Sequence, residues 1–443
     1  MLTIPFLTQL DSRAAIKGSR DPLGIQPIWA RLGRHVVGNL TTVSNSVRDF
    51  TVLLLGHYFA ERVADEGGAE GDLATFLKWE QLAGYARAHV NKESGFRGTE
   101  RVARRLADDH RVLLGVGSDA QILSNQKIYG LWGLYTVPAK ASGLLGGDPT
   151  RLSPPARQIV EERLLPRLES AGSQVVNGIA SRLRLPEYSL DVQERSRDAT
   201  TLKGVARVLS MLGDSEKALY REHLLHGGPA DRDSGRGTQG QQQVFAELLA
   251  ETLDEPDWAL TPETIRTMAD RALKHGAVGE QLASRLERIR AAESVLAPAA
   301  AFYEHLLGCD GQTPDAVADE VRRHWERTAA STIDPKAVEA LEPELRASGD
   351  EAESGHRWVR LAAAFHDARY EDAIPLVLEQ NAAIMRARST AAPWADIRDG
   401  KLRVRFRDEQ LARLPEAKDL PGYWRHAYFI DSLRAVAGSL RAR

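Results

Sequence analysis

The chemistry that this sequence offers most clearly is the binding of phosphate groups by arginine. A guanidinium group carries a permanent charge and a fork of N–H donors that matches a phosphate or a carboxylate. A group of four arginines contains pairs at i, i+4 and i, i+3 spacings, which place side chains on one face of a helix: Arg97, Arg101, Arg104 and Arg105. We expect them to line a phosphate-binding surface, with a solvated helix face as the alternative.

Basic residues also outnumber acidic ones near the N-terminus. Residues 1–48 contain six basic and two acidic side chains, and Arg31 and Arg34 are among the basic ones. Such a patch is typical of a nucleic-acid contact. The formal net charge of -3 excludes a wholly basic nucleic-acid coat. We expect Arg31 and Arg34 to extend the phosphate-binding surface.

The segment from Leu123 to Leu145 has the size of a helix-turn-helix unit. It divides into a helix, a short turn at Val137-Pro138 and a second short helix. Lys127 and Lys140 would then be available to double-stranded DNA. The alternative is that the aromatic residues of this segment belong to the core of a helical domain.

Known catalytic signatures are absent from the sequence. It contains neither the glycine-rich P-loop with its lysine nor the GxSxG turn of serine hydrolases. The single cysteine, Cys309, excludes an internal disulfide and a cysteine-based zinc site. We expect Cys309 to be a small buried or loop residue, and we expect no cofactor and no metal.

Three weaker patterns could in principle hold a metal ion. His57 and Glu61 have the i, i+4 spacing of metal ligands, but a third ligand is not in evidence. Asp399 and Lys401 fit part of a restriction-nuclease signature, although Asp399-Gly400 is better explained as a turn. The third pattern resembles the ligand set of metal-dependent phosphohydrolases and consists of His356, His366, Asp367 and Asp372.

The elements that would position these residues are predicted to be helices. The apolar periodicity predicts helices over 47–63, 73–90, 99–107 and 155–168. Further helices should begin where a side-chain oxygen precedes proline, because the oxygen caps the first turn and proline needs no N–H there. These starts are Ser153-Pro154, Thr261-Pro262, Thr313-Pro314 and Asp334-Pro335. Residues 358–388 should form a helical hairpin, and a weak strand is predicted near 110–123.

The length of 443 residues predicts more than one domain, because a single hydrophobic core does not grow that large. Residues 227–243 are rich in glycine and glutamine and should form a flexible linker or loop. We therefore predict a mainly α-helical protein. Residues 1–226 should form a helical domain with a possible helix-turn-helix or winged-helix portion, and residues 244–443 a helical domain with a β-hairpin near 394–406 and a terminal helix.

The sequence has no apolar run long enough to cross a membrane. The first residues, Met1 to Phe6, lack the early basic residue and the cleavage site of a signal peptide. We expect a cytoplasmic protein without a membrane partner.

The N-terminal third resembles a group of uncharacterised bacterial proteins encoded beside restriction and anti-phage genes. The resemblance covers about a third of the chain and rests on an Asp-x-Leu-Gly opening and a Leu-Thr-x6-Arg-x-Phe helix. In this chain these motifs are Asp21-Pro22-Leu23-Gly24, Ile28 to Arg34, Gly38 to Thr42, Ser46 to Phe50, and Leu123 to Gly130. The resemblance implies a genome-defence setting with partner subunits such as helicases or nucleases, and it supplies no catalytic residues.

These patterns favour a non-catalytic, DNA-contacting or adaptor subunit of a bacterial defence or DNA-processing complex. Two alternatives remain open. One is a metal-dependent nuclease or phosphohydrolase whose site is assembled from scattered residues around His356, His366 and Asp367. The other is a purely structural adaptor between proteins.

Overall fold

The computed structural model describes residues 21–68, 71–229, 240–326, 328–346, 351–388, 392–405 and 414–441. Within these residues the chain is mainly helical and has three small antiparallel sheets of two strands each. The prediction of a mainly α-helical protein with a small β-hairpin is therefore confirmed.

The helices up to residue 225 include a long buried pair, α2 and α3. They are α1 (Ile25–Arg34), α2 (Val47–Asp65), α3 (Asp72–His89), α4 (Thr99–Asp108), α5 (Gln126–Tyr129), α6 (Leu131–Ala141), α7 (Pro154–Ile159), α8 (Leu165–Glu169), α9 (Val175–Arg184), α10 (Ala199–Ser210) and α11 (Asp214–Tyr220). π-Helical turns over Val160–Leu164 and Arg221–Leu225 follow α7 and α11.

The later helices include the longest of the described chain. They are α12 (Gln241–Glu251), α13 (Pro262–Ala272), α14 (Gly276–Leu306), α15 (Pro314–Trp325), α16 (Thr328–Thr332), α17 (Pro335–Glu339), α18 (Glu351–His366), α19 (Tyr370–Ala387) and α20 (Ile430–Arg441). Short 3₁₀ turns lie over Leu273–His275, Glu342–Leu345 and Ala417–Gly422.

Two of the three sheets are local in sequence and one is not. β5 (Ala395–Arg398) pairs with β6 (Lys401–Val404) across Asp399 and Gly400, both with positive φ, as a two-residue hairpin turn requires. β2 (Leu145–Gly146) pairs with β3 (Arg151–Leu152). β1 (Arg111–Leu114) forms where a weak strand was predicted, but its partner is the distant β4 (Tyr188–Asp191).

The described residues group into two compact units, each built from separate stretches of sequence. Unit 1 combines the described parts of Met1–Val36 and Pro256–Tyr428, and unit 2 combines those of Val37–Glu255 and Phe429–Arg443. The first helix therefore belongs with the later part of the chain and the last helix with the earlier part. The predicted domains, residues 1–226 and 244–443, are by contrast each one continuous stretch of sequence.

The core of unit 2 is formed by α2 and α3, which are buried on nearly all sides. A helix that is buried around its whole circumference occupies a central position. The Trp79 indole N–H of α3 donates to the Val52 carbonyl oxygen of α2 at 2.8 Å. This bond satisfies a polar group inside the core and ties the two helices together.

Unit 1 is organised around α14 and the helical hairpin α18–α19. The hairpin was predicted, and it is confirmed by the bond from Arg357 Nε of α18 to Gln380 Oε1 of α19 at 2.9 Å. Phe302 of α14 packs edge-to-face on Phe365, with ring centroids 5.4 Å apart. Aromatic side chains thus form the contact between the long helix and the hairpin.

The four predicted cap-and-proline helix starts are all present. The side-chain oxygens of Ser153, Thr261, Thr313 and Asp334 each accept a hydrogen bond from a backbone N–H in the first turn of the following helix. These starts are specified by neighbouring residues alone, which explains why the sequence predicts them.

The segment 123–145 does not form the predicted helix-turn-helix. Pro138 lies inside α6, and the chain turns instead at Gly130, between the four-residue α5 and α6. A Cβ atom at Gly130 would lie 2.4 Å from the Gln126 carbonyl oxygen, so only glycine fits. The helix continues past Pro138, whose carbonyl oxygen accepts the Ser142 N–H at 2.8 Å.

The predicted linker also needs correction at its C-terminal end. Residues 241–243 form the first turn of α12, and the Gln242 side chain is buried against Asn39, Leu224 and Leu225. Residues 230–239 of the predicted linker lie outside the described residues, as do residues 1–20 of the basic N-terminal patch and residue 406 of the hairpin. Among the helices that the structure describes, none is long and apolar enough to cross a membrane.

Candidate phosphate-binding site

The α3–α4 loop, residues 90–98, separates two pockets of unit 2. The first has a volume of about 420 Å³ and is lined by Val43, Asn45, Ser46, Asp49, Arg87, Glu93, Ser94, Gly95, Phe96, Arg97 and Tyr135. The second has a volume of about 380 Å³ and is lined by Phe96, Gly98, Thr99, Glu100, Arg101, Arg104, Ile122, Leu123 and Ser124. Phe96 lines both pockets, so they are neighbours along one stretch of surface.

A network of buried charges forms the floor of the first pocket. Arg87 Nη1 lies 2.7 Å from Asp49 Oδ1, and Arg87 Nη2 lies 2.7 Å from Glu93 Oε1. The Arg87 guanidinium also lies over the Phe96 ring, 4.6 Å from its centroid. Since the side chains of Arg87 and Asp49 are each only 7% exposed, their charges need one another to remain buried.

The charges around Glu93 balance in favour of its ionised form. Burial by itself raises the pKa of Glu93, but the hydrogen bonds and charges of Arg87 and Arg48 outweigh it and hold the pKa below its usual value. The Tyr135 hydroxyl lies 3.3 Å from Asp49 Oδ2 and 2.9 Å from the Val43 carbonyl oxygen. The floor is therefore a fixed, internally paired network.

Arg97 differs from the charges beneath it. Its half-buried side chain lines the first pocket, and it forms no hydrogen bond or ion pair with any residue that the structure describes. A guanidinium in a pocket whose other charges are already paired is available to an external anion.

The second pocket lies at the N-terminus of α4. Gly98 is the N-cap, and no side chain caps this end of the helix. Its φ of 83° and the 2.8 Å that would separate an added Cβ atom from the Ile122 carbonyl oxygen both require glycine. Uncapped N–H groups and the helix dipole favour an anion at this position.

Two of the predicted arginines contribute positive charge to the second pocket. Arg104 is exposed, and Arg101 bonds to the described residues through Nη1 alone, which donates to the Gln121 carbonyl oxygen at 3.1 Å. The hydroxyl-bearing Thr99 and Ser124 line the same pocket, as does the acidic Glu100. Arginine, hydroxyl and helix N-terminus together form a donor set that suits phosphate.

Arg105 was predicted to bind phosphate, but its guanidinium is bonded within the protein. Its guanidinium donates to the Tyr85 hydroxyl at 3.1 Å and to the carbonyl oxygens of Ala120, at 2.7 Å, and Gln121, at 2.9 Å. It also bonds to the carbonyl oxygen of Asp119. The donors of Arg105 are occupied by the loop that follows β1, so this side chain has a structural role.

Arg31 and Arg34 belong to unit 1, whereas the six other predicted residues belong to unit 2. Arg31 donates to the carbonyl oxygens of Glu344 and Arg346, each at 3.0 Å, and therefore anchors α1. Arg34 is half-buried. Arg31 is thus better explained by the packing of unit 1 than by a phosphate contact.

Lys127 and Lys140 are exposed on α5 and α6 but line neither pocket. The structure therefore brings together Arg97, Arg101 and Arg104 around the α3–α4 loop. It places the two lysines elsewhere on the same unit.

The remaining metal-ligand patterns are not assembled in the described residues. His57 stacks on Trp132 at 5.2 Å, and burial lowers its pKa to about 4, whereas Glu61 is paired with Arg157. His366 Nδ1 lies 3.0 Å from the Ile333 carbonyl oxygen, and His356 is 64% exposed beside Glu342.

The two aspartates of the phosphohydrolase-like pattern are bound to a neighbouring arginine. Asp367 and Asp372 both pair with Arg369, and both are about half exposed. Asp399 lies in the turn of the β5–β6 hairpin, and Lys401 is the first residue of β6. In the described part of the chain, no group of three or more His, Cys, Asp and Glu side chains is arranged to hold a metal ion.

The acidic and aromatic residues of the first pocket were not predicted from the sequence. Asp49 and Arg87 are 38 residues apart, on different helices, and no local spacing connects them. Comparisons of the chain with models of known protein families, with curated proteins and with solved structures found no match.

Proposed function

We propose that this chain is a non-catalytic, DNA-contacting subunit of a bacterial defence or DNA-processing complex. The observation that carries the proposal is that Arg97, Arg101 and Arg104 line two neighbouring pockets at the α3–α4 loop. In this proposal the three guanidinium groups bind phosphates of double-stranded DNA.

The arrangement favours a polyanion over a single small anion. The three guanidinium groups are divided between two pockets that meet at Phe96, so they address more than one phosphate along the surface. The buried network of Arg87, Asp49 and Glu93 is paired within the protein and holds the loop in place. Phosphate contacts of this type position a protein on DNA without reading its sequence.

The cellular setting of the proposal rests on the resemblance of the N-terminal third to proteins encoded beside restriction and anti-phage genes. In that setting the chain works in the cytoplasm with other subunits, such as a helicase or a nuclease. In this proposal those partners supply the catalysis.

Binding of a duplex DNA probe to the wild type and to a variant with Arg97, Arg101 and Arg104 changed to glutamate tests the proposal. Loss of binding in the variant supports it, and equal binding by both proteins overturns it. Metal-dependent turnover that is abolished by His366→Ala would favour the enzymatic alternative. A stoichiometric protein partner combined with no DNA binding would favour the structural adaptor.

A further inference from the structure

The outer side of α5 and α6 in unit 2 carries apolar and basic side chains that line neither of the two pockets. Ile128 is 52% exposed, Tyr129 is 55% exposed and Val137 is 66% exposed. Two exposed lysines lie on the same two helices. We call this surface the α5–α6 face, and it consists of Lys127, Ile128, Tyr129, Gly133, Val137 and Lys140.

The packing of the two helices brings the residues of the α5–α6 face together. Gly133, Val137 and Lys140 follow one another at i, i+4 and i, i+3 spacings, which place them on one side of α6. A Cβ atom at Gly133 would lie 2.2 Å from the Ile128 carbonyl oxygen, so the end of α5 lies against this side of α6. Ile128 and Tyr129, the last two residues of α5, therefore continue the exposed side of α6.

The buried side chain of Gln126 fixes α5 to the core. Its Nε2 donates to the Leu77 carbonyl oxygen at 3.0 Å, and its Oε1 accepts a hydrogen bond from Gln81 Nε2 at 3.1 Å. The backbone N–H of Ile122 also donates to Gln126 Oε1, at 3.2 Å. The exposed side chains of α5 are therefore presented from a fixed backbone.

The charge of the α5–α6 face is positive. Residues 122–147 contain two lysines and no acidic residue, although the whole chain has a net charge of -3. Lys127 and Lys140 form no hydrogen bond or ion pair with any residue that the structure describes. Two such ammonium groups are available to the phosphates of a nucleic acid.

Tyr129 adds an aromatic ring to this positive surface. Among the described residues it is the only phenylalanine, tyrosine or tryptophan whose side chain is exposed. It makes no ring contact and no hydrogen bond with any of them. Bases of a single strand stack on exposed aromatic rings next to basic side chains, whereas the bases of a duplex are already stacked on one another. The ring of Tyr129 therefore suits an unpaired base.

The α5–α6 face adjoins the DNA contact proposed for unit 2. Leu123 and Ser124 line the second pocket together with Arg101 and Arg104. Lys127 follows Ser124 after three residues, on α5. A nucleic acid bound at the second pocket therefore reaches the α5–α6 face along the same stretch of chain.

We propose that the α5–α6 face binds an unpaired strand that extends from the duplex held at the two pockets. One base of this strand stacks on Tyr129, and its phosphates bind Lys127 and Lys140. The inference rests on the proposed function and names its substrate class, which is DNA with both a double-stranded and a single-stranded portion.

A protein partner explains these observations less completely. Ile128 and Val137 would suit an apolar protein surface, but lysine is depleted at protein–protein interfaces. Aliphatic side chains also contact the methyl group of thymine, so the same two residues are compatible with a nucleic acid. The two unpaired lysines and the neighbouring arginine pocket favour the nucleic acid.

The test compares a blunt duplex with the same duplex carrying an unpaired oligothymidine tail at either end. The wild type should bind the tailed probe at least about fivefold more tightly than the blunt one. Tyr129→Leu should lose this gain, and Tyr129→Phe should keep it because the ring remains. Lys127→Gln combined with Lys140→Gln should reduce the gain. Met211→Ala changes an exposed apolar residue of unit 2 outside the α5–α6 face and should leave both affinities unchanged.

The blunt probe separates a failure of this inference from a failure of the proposed function. If the wild type binds the blunt duplex and gains nothing from the tail, only the inference is overturned. If it binds the tailed probe alone, and Tyr129→Leu abolishes that binding, stacking on Tyr129 is supported and the duplex contact is overturned. Binding of neither probe overturns both.

Two further results would overturn the inference. One is an equal gain from the tail in Tyr129→Leu and Tyr129→Phe. The other is a Tyr129→Leu protein that binds both probes like the wild type but loses a copurifying protein subunit, because the α5–α6 face would then be a protein interface. Tyr129 is exposed, so neither substitution should prevent folding.

Discussion

The carboxylate of Glu80 accepts a hydrogen bond from the backbone N–H of Leu131 at 2.8 Å, so a side chain of α3 caps the first turn of α6. The second oxygen of Glu80 accepts the Gln126 amide N–H at 2.8 Å. Glu80 is buried, and a Cβ atom at Gly130 would lie 2.7 Å from its carboxylate. One buried carboxylate thus fixes the turn between α5 and α6 that replaces the predicted helix-turn-helix.

Glu80 should make the stability of unit 2 depend on pH. Burial raises the pKa of Glu80 from its ordinary value of 4.5 to about 7, although the hydrogen bonds from Leu131 and Gln126 oppose the shift. Because the folded state holds this proton more tightly than the unfolded state, the stabilisation is complete below pH 4.5 and is lost as pH rises through 7. Glu80→Gln has no such ionisation.

Urea unfolding of the wild type and Glu80→Gln between pH 4.5 and 8 measures this effect. The difference in unfolding free energy should move in favour of Glu80→Gln by up to roughly 3 kcal/mol over that range. Glu100→Gln, an exposed glutamate on α4, serves as the control and should show no such trend. A constant difference between wild type and Glu80→Gln would contradict the prediction.

The buried pair of Arg87 and Asp49 should be essential for the stability of unit 2. Arg87→Met leaves the Asp49 carboxylate buried without its partner, and removing one member of a buried ion pair costs about 3–5 kcal/mol. Arg48→Met is a matched control, because Arg48 is 37% exposed and pairs with the same Glu93. It should cost no more than about 1 kcal/mol. If denaturant unfolding shows that Arg87→Met and Arg48→Met lose the same unfolding free energy, the prediction is wrong.

Arg104 and Arg105 are sequence neighbours for which opposite effects are expected. Arg105→Met removes the bonds to the loop at 119–121 and leaves the carbonyl oxygen of the buried Ala120 without its arginine donor, which should cost about 1–3 kcal/mol. Arg104→Met should leave the melting temperature unchanged, since Arg104 is exposed and makes no hydrogen bond to a described residue. Thermal unfolding of both variants decides the point, and a stable Arg105→Met protein would show the structural role to be misassigned.

Features that depend on neighbouring residues were predicted well from the sequence. The caps at Ser153, Thr261 and Thr313 act within one turn of helix, and the Asp399-Gly400 turn joins adjacent strands. The hydrogen bonds that stabilise these caps and this turn join residues that are close in sequence, so the local sequence pattern indicates them.

Features that depend on distant residues could not be predicted in the same way. The pairing of Val112 with Leu190 has no sequence signature, because four-residue strands carry too little alternation. Pro138 was expected to end a helix, but a distant residue, Glu80, caps α6 and moves the turn to Gly130. The Arg104 guanidinium is exposed, whereas the Arg105 guanidinium is bonded to the loop at 119–121. The position of this loop cannot be predicted from the periodicity of the sequence.

The most direct measurement of the central claim is the salt dependence of binding to a duplex DNA probe of mixed sequence. The site variant changes Arg97, Arg101 and Arg104 to glutamate. The control variant has the same total charge, because it changes Arg163, Arg195 and Lys203 to glutamate. These three residues of unit 2 are exposed and line neither pocket. Circular dichroism confirms folding, and an Arg97→Glu, Arg104→Glu double variant preserves the bond from Arg101 to Gln121.

If the three guanidinium groups each bind one phosphate, the slope of log K against log salt should become less negative by about 2.7 in the site variant. The control should keep the wild-type slope. Identical affinities and slopes for the two variants, or no binding of the probe by the wild type at low salt, would contradict the proposed DNA contact.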